Sequence, residues 1–77
     1  MMPKTSRFSK DIELDARMVL VATAGGQEGL VAWAFMHRGT FSGPDEALAR
    51  AVWLKRQGKA YIEAVSVRAA QLEAASN

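Results

Sequence analysis

Apolar residues occupy every second position after the polar N-terminal segment. The even-numbered positions carry Ile12, Leu14, Ala16, Met18, Leu20 and Ala22. The odd-numbered positions carry Glu13, Asp15 and Arg17, followed by Val19, Val21 and Thr23. A period of two over this many residues is typical of a strand. The Ala, Leu and Met content also suits a helix, but the alternation favours a strand.

A glycine-rich segment interrupts this first apolar run. It contains Gly25, Gly26 and Gly29, and glycine readily adopts the positive φ angles that tight turns need. A second apolar run begins immediately afterwards, from Leu30 to His37, and Gly39 ends it. Two such runs joined by a short glycine-rich loop predict a β-hairpin.

The signals of a helix are concentrated after position 42. Pro44 fits the first helical turn, with Ser42 or Gly43 as the N-cap. Asp45 and Glu46 place negative charge at the positive end of the helix dipole. Helix-forming residues then run from 47 to 57, and Gly58 is the predicted C-terminal stop.

The segment after Gly58 has two interpretations. Its β-branched residues favour a third strand from Lys59 to Val67, followed by a short helix over 68–75. The alternative is a helix, because Tyr61, Val65, Ala69 and Leu72 are spaced as one helical face.

These elements predict one small α+β domain over residues 11–77, with the order β-β-α-β and a short C-terminal helix. A flexible basic tail over 1–10 is expected to precede it, since only Phe8 could anchor that segment. The alternative fold is an all-α helical hairpin.

The chain is short, and its length suggests that it needs a partner to be stable. With 77 residues it buries a small core, and such domains usually add a disulfide, a metal or a partner chain. It has no Cys and one His, which excludes a disulfide and a zinc site built from these ligands. We therefore expect a homo-oligomer, in its simplest form a homodimer.

The predicted hairpin is apolar on both faces, and one helix can cover only one of them. The second face would expose large side chains, which marks an interaction surface, and the alternative is that the C-terminal segment over 68–75 folds back over it. Trp33 and Phe35 on this hairpin, with Arg50 and Trp53 on the helix, are the candidate partner-binding residues. Trp and Arg are enriched among residues that dominate binding energy at interfaces.

Catalytic and metal-binding patterns are not evident. His37 has no neighbouring nucleophile and orienting acid in a recognisable motif. Asp11, Glu13 and Asp15 would share one strand face, but they lack the spacing of a calcium loop and are interpreted as a solvated acidic edge. We expect a non-enzyme with no cofactor and no metal.

A basic cluster supplies an alternative function. Arg50, Lys55, Arg56 and Lys59 gather near the end of the predicted helix, where they could neutralise nucleic-acid phosphates. The net charge is only +2, and no nucleic-acid-binding motif is present.

The most apolar region, from Met18 to Met36, is broken by glycines and Glu28, so we expect no membrane span and a cytoplasmic protein. The favoured function is a non-catalytic interaction module that binds a larger protein. Such a module could be an adaptor, a regulator or a phage-encoded inhibitor.

Overall fold

The computed structural model describes residues 10–36, 41 and 43–76, and within these ranges the regular structure is helical. Three helices follow one another: α1 (Ile12–Met36), α2 (Pro44–Lys55) and α3 (Lys59–Ser76). The predicted α+β domain of order β-β-α-β is therefore wrong, because the described residues of all three predicted strands lie on helices. The fold is all-helical, as the alternative held.

The start of α1 shows why the first strand prediction failed. The Asp11 Oδ1 atom accepts a hydrogen bond from the backbone N–H of Leu14 at 3.1 Å, which is the geometry of a helix N-cap. Glu13 and Arg17 form an i,i+4 ion pair at 3.2 Å. These local signals agree with the helix-forming Ala, Leu and Met residues, and together they outweigh the alternation.

Gly26 divides α1 into two arms. Its φ of 64° and ψ of −156° are not helical and lie in a region that side chains with a Cβ rarely adopt. The first arm comprises residues 12–25 and the second residues 27–36. A Cβ built on Gly29 would lie 3.3 Å from the carbonyl oxygen of Val21. In a straight helix these residues would be about 12 Å apart along the axis, so the second arm turns back on the first.

The turn predicted from the glycine-rich segment is thus present, but it joins two helical arms instead of two strands. Met18 from the first arm and Leu30 from the second belong to the same buried cluster. The reversal therefore buries apolar side chains as a hairpin would, while the backbone hydrogen bonds remain within each helical arm.

Helix α2 matches its prediction closely. Pro44 is at its start and Gly43 is the N-cap, with Asp45 and Glu46 in the first turn. The helix ends at Lys55, two residues before the predicted Gln57, and Arg56 is the C-cap. Ala47 and Arg50 are its buried residues.

Helix α3 replaces both the predicted third strand and the short terminal helix. Val65 and Ala69 are buried, and Tyr61 and Leu72 pack partly buried against the same cluster. The helical alternative for these four positions is therefore confirmed. The β-branched residues Val65 and Val67 did not prevent a helix, because one long apolar face could pack on α1.

Among the residues that the structure describes, two small apolar clusters form the core on either side of the first arm. One contains Met18, Leu30, Ala34, Phe41 and Ala47. The other contains Ala16, Val65 and Ala69. The first arm of α1 lies between them and contributes to both, so α1 is the central element on which α2 and α3 pack.

Candidate interaction site

A buried ionic cluster connects the three helices. Asp15 of α1 is fully buried, and Arg50 of α2 is 5% exposed. The Arg50 Nε atom donates to Asp15 Oδ1 at 2.6 Å, and Nη2 donates to Oδ2 at 3.0 Å. The hydroxyl of Tyr61, on α3, donates a short hydrogen bond to Asp15 Oδ2. We call Asp15, Arg50 and Tyr61 the polar centre.

The surroundings of the polar centre complete its hydrogen bonds. The backbone N–H of Asp11 donates to the Tyr61 hydroxyl at 2.9 Å. The Arg50 guanidinium stacks on Trp53, 4.7 Å from the ring centroid, and Trp53 meets the Tyr61 ring edge-on at 6.0 Å. No buried side-chain nitrogen or oxygen lacks a hydrogen bond within the described residues. A bidentate, fully bonded pair of this kind fixes the relative positions of the elements that carry it.

The electrostatics of the polar centre follow from burial and from Asp15. Burial of the Tyr61 phenol, together with its hydrogen bond to the Asp15 carboxylate, raises the pKa of Tyr61 to about 12. Burial acts to lower the pKa of Arg50, but the hydrogen bond and the charge of Asp15 raise it above its usual value. Both shifts favour the protonated phenol and guanidinium, which are the forms that donate to Asp15.

A second, exposed ion pair also connects α1 with α3. The Arg68 Nε atom donates to Glu13 Oε1 at 2.8 Å. This hydrogen bond to Arg68 is the main cause that lowers the pKa of Glu13. Because both side chains are accessible to water, removing one partner of this pair should cost much less stability than removing one member of the polar centre.

An apolar groove lies where α1, α2 and α3 meet, with a volume of about 240 Å³. Its lining residues are Met18, Val19, Ala22, Leu30, Ala51, Leu54, Lys55 and Ile62. It continues past Gly26, Gln27, Leu48 and Val52. Lys55 is the one charged residue among these twelve. We call this surface the groove.

The groove remains accessible because several of its side chains are not covered by other parts of the fold. Val52 is 51% exposed and Ile62 is 37% exposed. Ala22 is also exposed, whereas Met18 and Leu30 are buried and form the floor.

A second apolar surface follows the second arm of α1. It comprises Gln27, Glu28, Val31, Ala32 and Phe35, and we call it the stripe. Phe35 is 53% exposed. Gln27 also borders the groove, so the two surfaces meet there.

The structure separates the predicted partner-binding residues into different environments. Trp33 is partly buried and packs edge-on against Phe41 at 5.6 Å, whereas Phe35 is exposed. On a strand these two would share a face, but on a helix they point in different directions. Arg50 and Trp53 are brought together, with Arg50 bound to Asp15.

The residues predicted as a nucleic-acid contact are also divided. Lys55, Arg56 and Lys59 are exposed around the end of α2 and the start of α3. Arg50 is buried in the polar centre, so it does not join them on the surface.

The three acids of the predicted edge have three separate roles. Asp11 caps α1, Glu13 pairs with Arg17 and Arg68, and Asp15 is in the polar centre. No group of three potential metal ligands is present among the described residues. His37 lies outside the described residues.

Helix α1 has the length and mean hydropathy of a candidate membrane span, and 17% of its most apolar 18-residue segment is buried inside the fold. The break at Gly26 leaves two arms, and each is shorter than the roughly 20 residues that a single span needs. The expectation of no membrane span stays a prediction.

Sequence reasoning missed the polar centre and most of the groove. Asp15 stands between Leu14 and Ala16 in an apolar run, and this position was a usable signal of a buried carboxylate with a partner. The groove residues come from three helices, and nothing in the linear sequence places Ala22 beside Ile62.

Comparison with family models, with curated proteins and with solved structures finds no match to this chain.

Proposed function

We propose that the protein is a non-catalytic interaction module that buries the groove against a protein surface, in the simplest case against a second copy of itself. The observation that carries this proposal is a concave, nearly uncharged surface formed jointly by three helices. Apolar surfaces of this kind on small domains are commonly sites of association.

The energetics support burial of the groove. Removing apolar surface from water contributes roughly 25 cal/mol per Å², so covering Val52 and Ile62 would favour association. The chain also has no cysteine, and a domain of 77 residues has a thin margin of stability. Association would add apolar burial that the single chain does not achieve.

The polar centre supports a structural role instead of a catalytic one. Asp15 and Arg50 are buried, and their polar atoms are engaged with each other and with Tyr61. A catalytic acid or base must come within hydrogen-bond reach of a substrate. Here the carboxylate serves to connect the helices.

The test compares two substitutions at equally exposed valines. Val52 in the groove is 51% exposed, and Val67 on α3, which does not line the groove, is 53% exposed. We expect size-exclusion chromatography with light scattering to give twice the 8.4 kDa of one chain for the wild type and for Val67→Lys. Val52→Lys should give the mass of one chain, because it would place an ammonium group in the apolar contact.

Two results would contradict this proposal. The first is a wild-type protein that stays at the mass of one chain throughout the micromolar range. The second is a Val52→Lys variant that associates as strongly as Val67→Lys. Circular dichroism of both variants checks that each remains helical.

Nucleic-acid binding is the second candidate, supported by the exposed positions of Lys55, Arg56 and Lys59. It predicts binding to DNA or RNA that weakens steeply as salt rises. Fluorescence anisotropy with labelled oligonucleotides at low salt tests it, and the absence of binding there would remove this candidate.

A further inference from the structure

The groove and the stripe together carry two opposite charges. Lys55 lines the groove, and Glu28 lies on the stripe. The two surfaces adjoin at Gln27, which borders both, and the cation lies on one of them and the anion on the other. We call the groove and the stripe together the band. Within the described residues, neither Lys55 nor Glu28 has an ion-pair partner.

This distribution of charge is self-complementary. In a two-fold symmetric dimer the same patch is present on both subunits, and contact of residue i with residue j is repeated as j with i. If the band of one copy lies against the band of another in antiparallel fashion, Lys55 of each copy can face Glu28 of the other. One pair of opposite charges per chain then gives two ion pairs per dimer.

We propose that two copies of this chain associate through the band about a two-fold axis, with reciprocal pairs between Lys55 and Glu28. This inference rests on the proposed function, and it names the partner and the orientation. The apolar residues supply most of the affinity, while the two charge pairs select the antiparallel arrangement over alternatives that bring like charges together.

Charge reversals test this inference, because a reversal on one chain can be compensated by the opposite reversal on the partner chain. Glu28→Lys alone brings two lysines together at each contact, and Lys55→Glu alone brings two glutamates together. We expect either reversal to raise the dimer dissociation constant about tenfold, as measured by sedimentation equilibrium, because two attractive pairs become two repulsive ones.

An equimolar mixture of the two variants provides the decisive comparison. In a heterodimer of Glu28→Lys with Lys55→Glu, every contact again joins opposite charges, so affinity should return to near the wild-type value. A Glu28→Lys, Lys55→Glu double variant should likewise associate as the wild type does. Non-specific effects of net charge would instead change the two single reversals in opposite directions, because Glu28→Lys raises the net charge from +2 to +4 and Lys55→Glu lowers it from +2 to 0.

Matched controls change charge outside the band. Glu63→Lys and Lys59→Glu alter exposed residues of α3 by the same amounts, and each should leave the dissociation constant unchanged. Glu28→Gln should weaken association by a smaller factor than Glu28→Lys. It also tests the pairing if the charge reversal disturbs the helical structure of the second arm.

The outcomes separate this inference from the proposed function. Wild-type affinity in both single reversals, or no rescue in the mixture, overturns the reciprocal pairing while Val52→Lys can still show that the groove is used. Failure of Val52→Lys to dissociate the protein overturns the proposed function itself.

Discussion

The polar centre and the groove lie in one small fold but have opposite characters. The polar centre holds a carboxylate and a guanidinium away from water. The groove leaves valine, isoleucine and alanine side chains accessible, with one lysine among them. The polar centre thus buries charged side chains, while the groove leaves apolar side chains at the surface.

The polar centre therefore holds the helices together, whereas the groove is available to bind a partner. Removing one member of a buried, bidentate pair leaves an uncompensated charge and strongly destabilises a protein. Changing an exposed apolar side chain has little effect on the single chain. Substitutions in the polar centre should therefore reduce stability, and substitutions in the groove should reduce association.

The largest effect is expected from Asp15→Ala. It removes the shared acceptor of Arg50 and Tyr61, leaves the guanidinium buried without its counter-charge, and should lower the free energy of unfolding by about 3–5 kcal/mol. Urea unfolding followed by circular dichroism measures this loss. Glu13→Ala is the matched control, because it removes a water-accessible acid on the same helix and should cost much less stability than Asp15→Ala. Equal losses would contradict a special role for the polar centre.

Tyr61→Phe should have the next largest effect. It removes one hydrogen bond to a charged acceptor and should lower the free energy of unfolding by about 1.5–3 kcal/mol. Urea unfolding at neutral pH measures this loss, and wild-type stability there would contradict the bond to Asp15.

The same tyrosine predicts a pH dependence. Its pKa is raised to about 12 in the folded state from a usual value of 10.0, so the folded protein retains this proton in a range where the unfolded chain loses it. The stabilisation is present below pH 10 and is lost as pH rises towards 12. Tyr61 is the single tyrosine of the chain, so tyrosinate absorbance reports its titration directly. A midpoint near 10 in the folded protein would contradict its contact with Asp15.

Gly26→Ala should reduce stability by about 1–3 kcal/mol, because alanine is strained at a φ of 64°. Gly25→Ala is the neighbouring control. Gly25 is helical and has open space around its Cα atom, so alanine there should increase stability by roughly 0.5–1 kcal/mol. Thermal melts of both variants measure the difference, and the same sign for both would contradict the break at Gly26.

The extent to which the sequence predicted this fold differs among the helices. Helix α2 was predicted well because Pro44, Asp45 and Glu46 are local signals that act within one turn. The strand prediction for the first arm of α1 is wrong because it rests on a period of two and does not use the Asp11 cap or the Glu13–Arg17 pair, both of which stabilise a helix. Helix α3 was misassigned because two β-branched valines were weighted above the spacing of Tyr61, Val65, Ala69 and Leu72.

The candidate site was less predictable than the fold. Trp33 and Phe35 are predicted as partner-binding residues because a strand would place them on one face. On a helix the two side chains point in different directions. Arg50 and Trp53 do lie together, but their link to Asp15 joins residues 35 positions apart. Such a contact depends on how the helices pack, and a linear pattern does not contain that information.

Unfolding by urea over a range of protein concentrations shows whether the folded chain buries the groove by association, since association that requires the folded chain raises the urea midpoint with protein concentration. We expect a rising midpoint for the wild type and for Val67→Lys, and a constant midpoint for Val52→Lys. All three should converge at the lowest concentration. A midpoint for the wild type that is independent of protein concentration would contradict association through the groove. So would a large loss of stability in Val52→Lys at the lowest concentration, because Val52 would then belong to the core of the single chain.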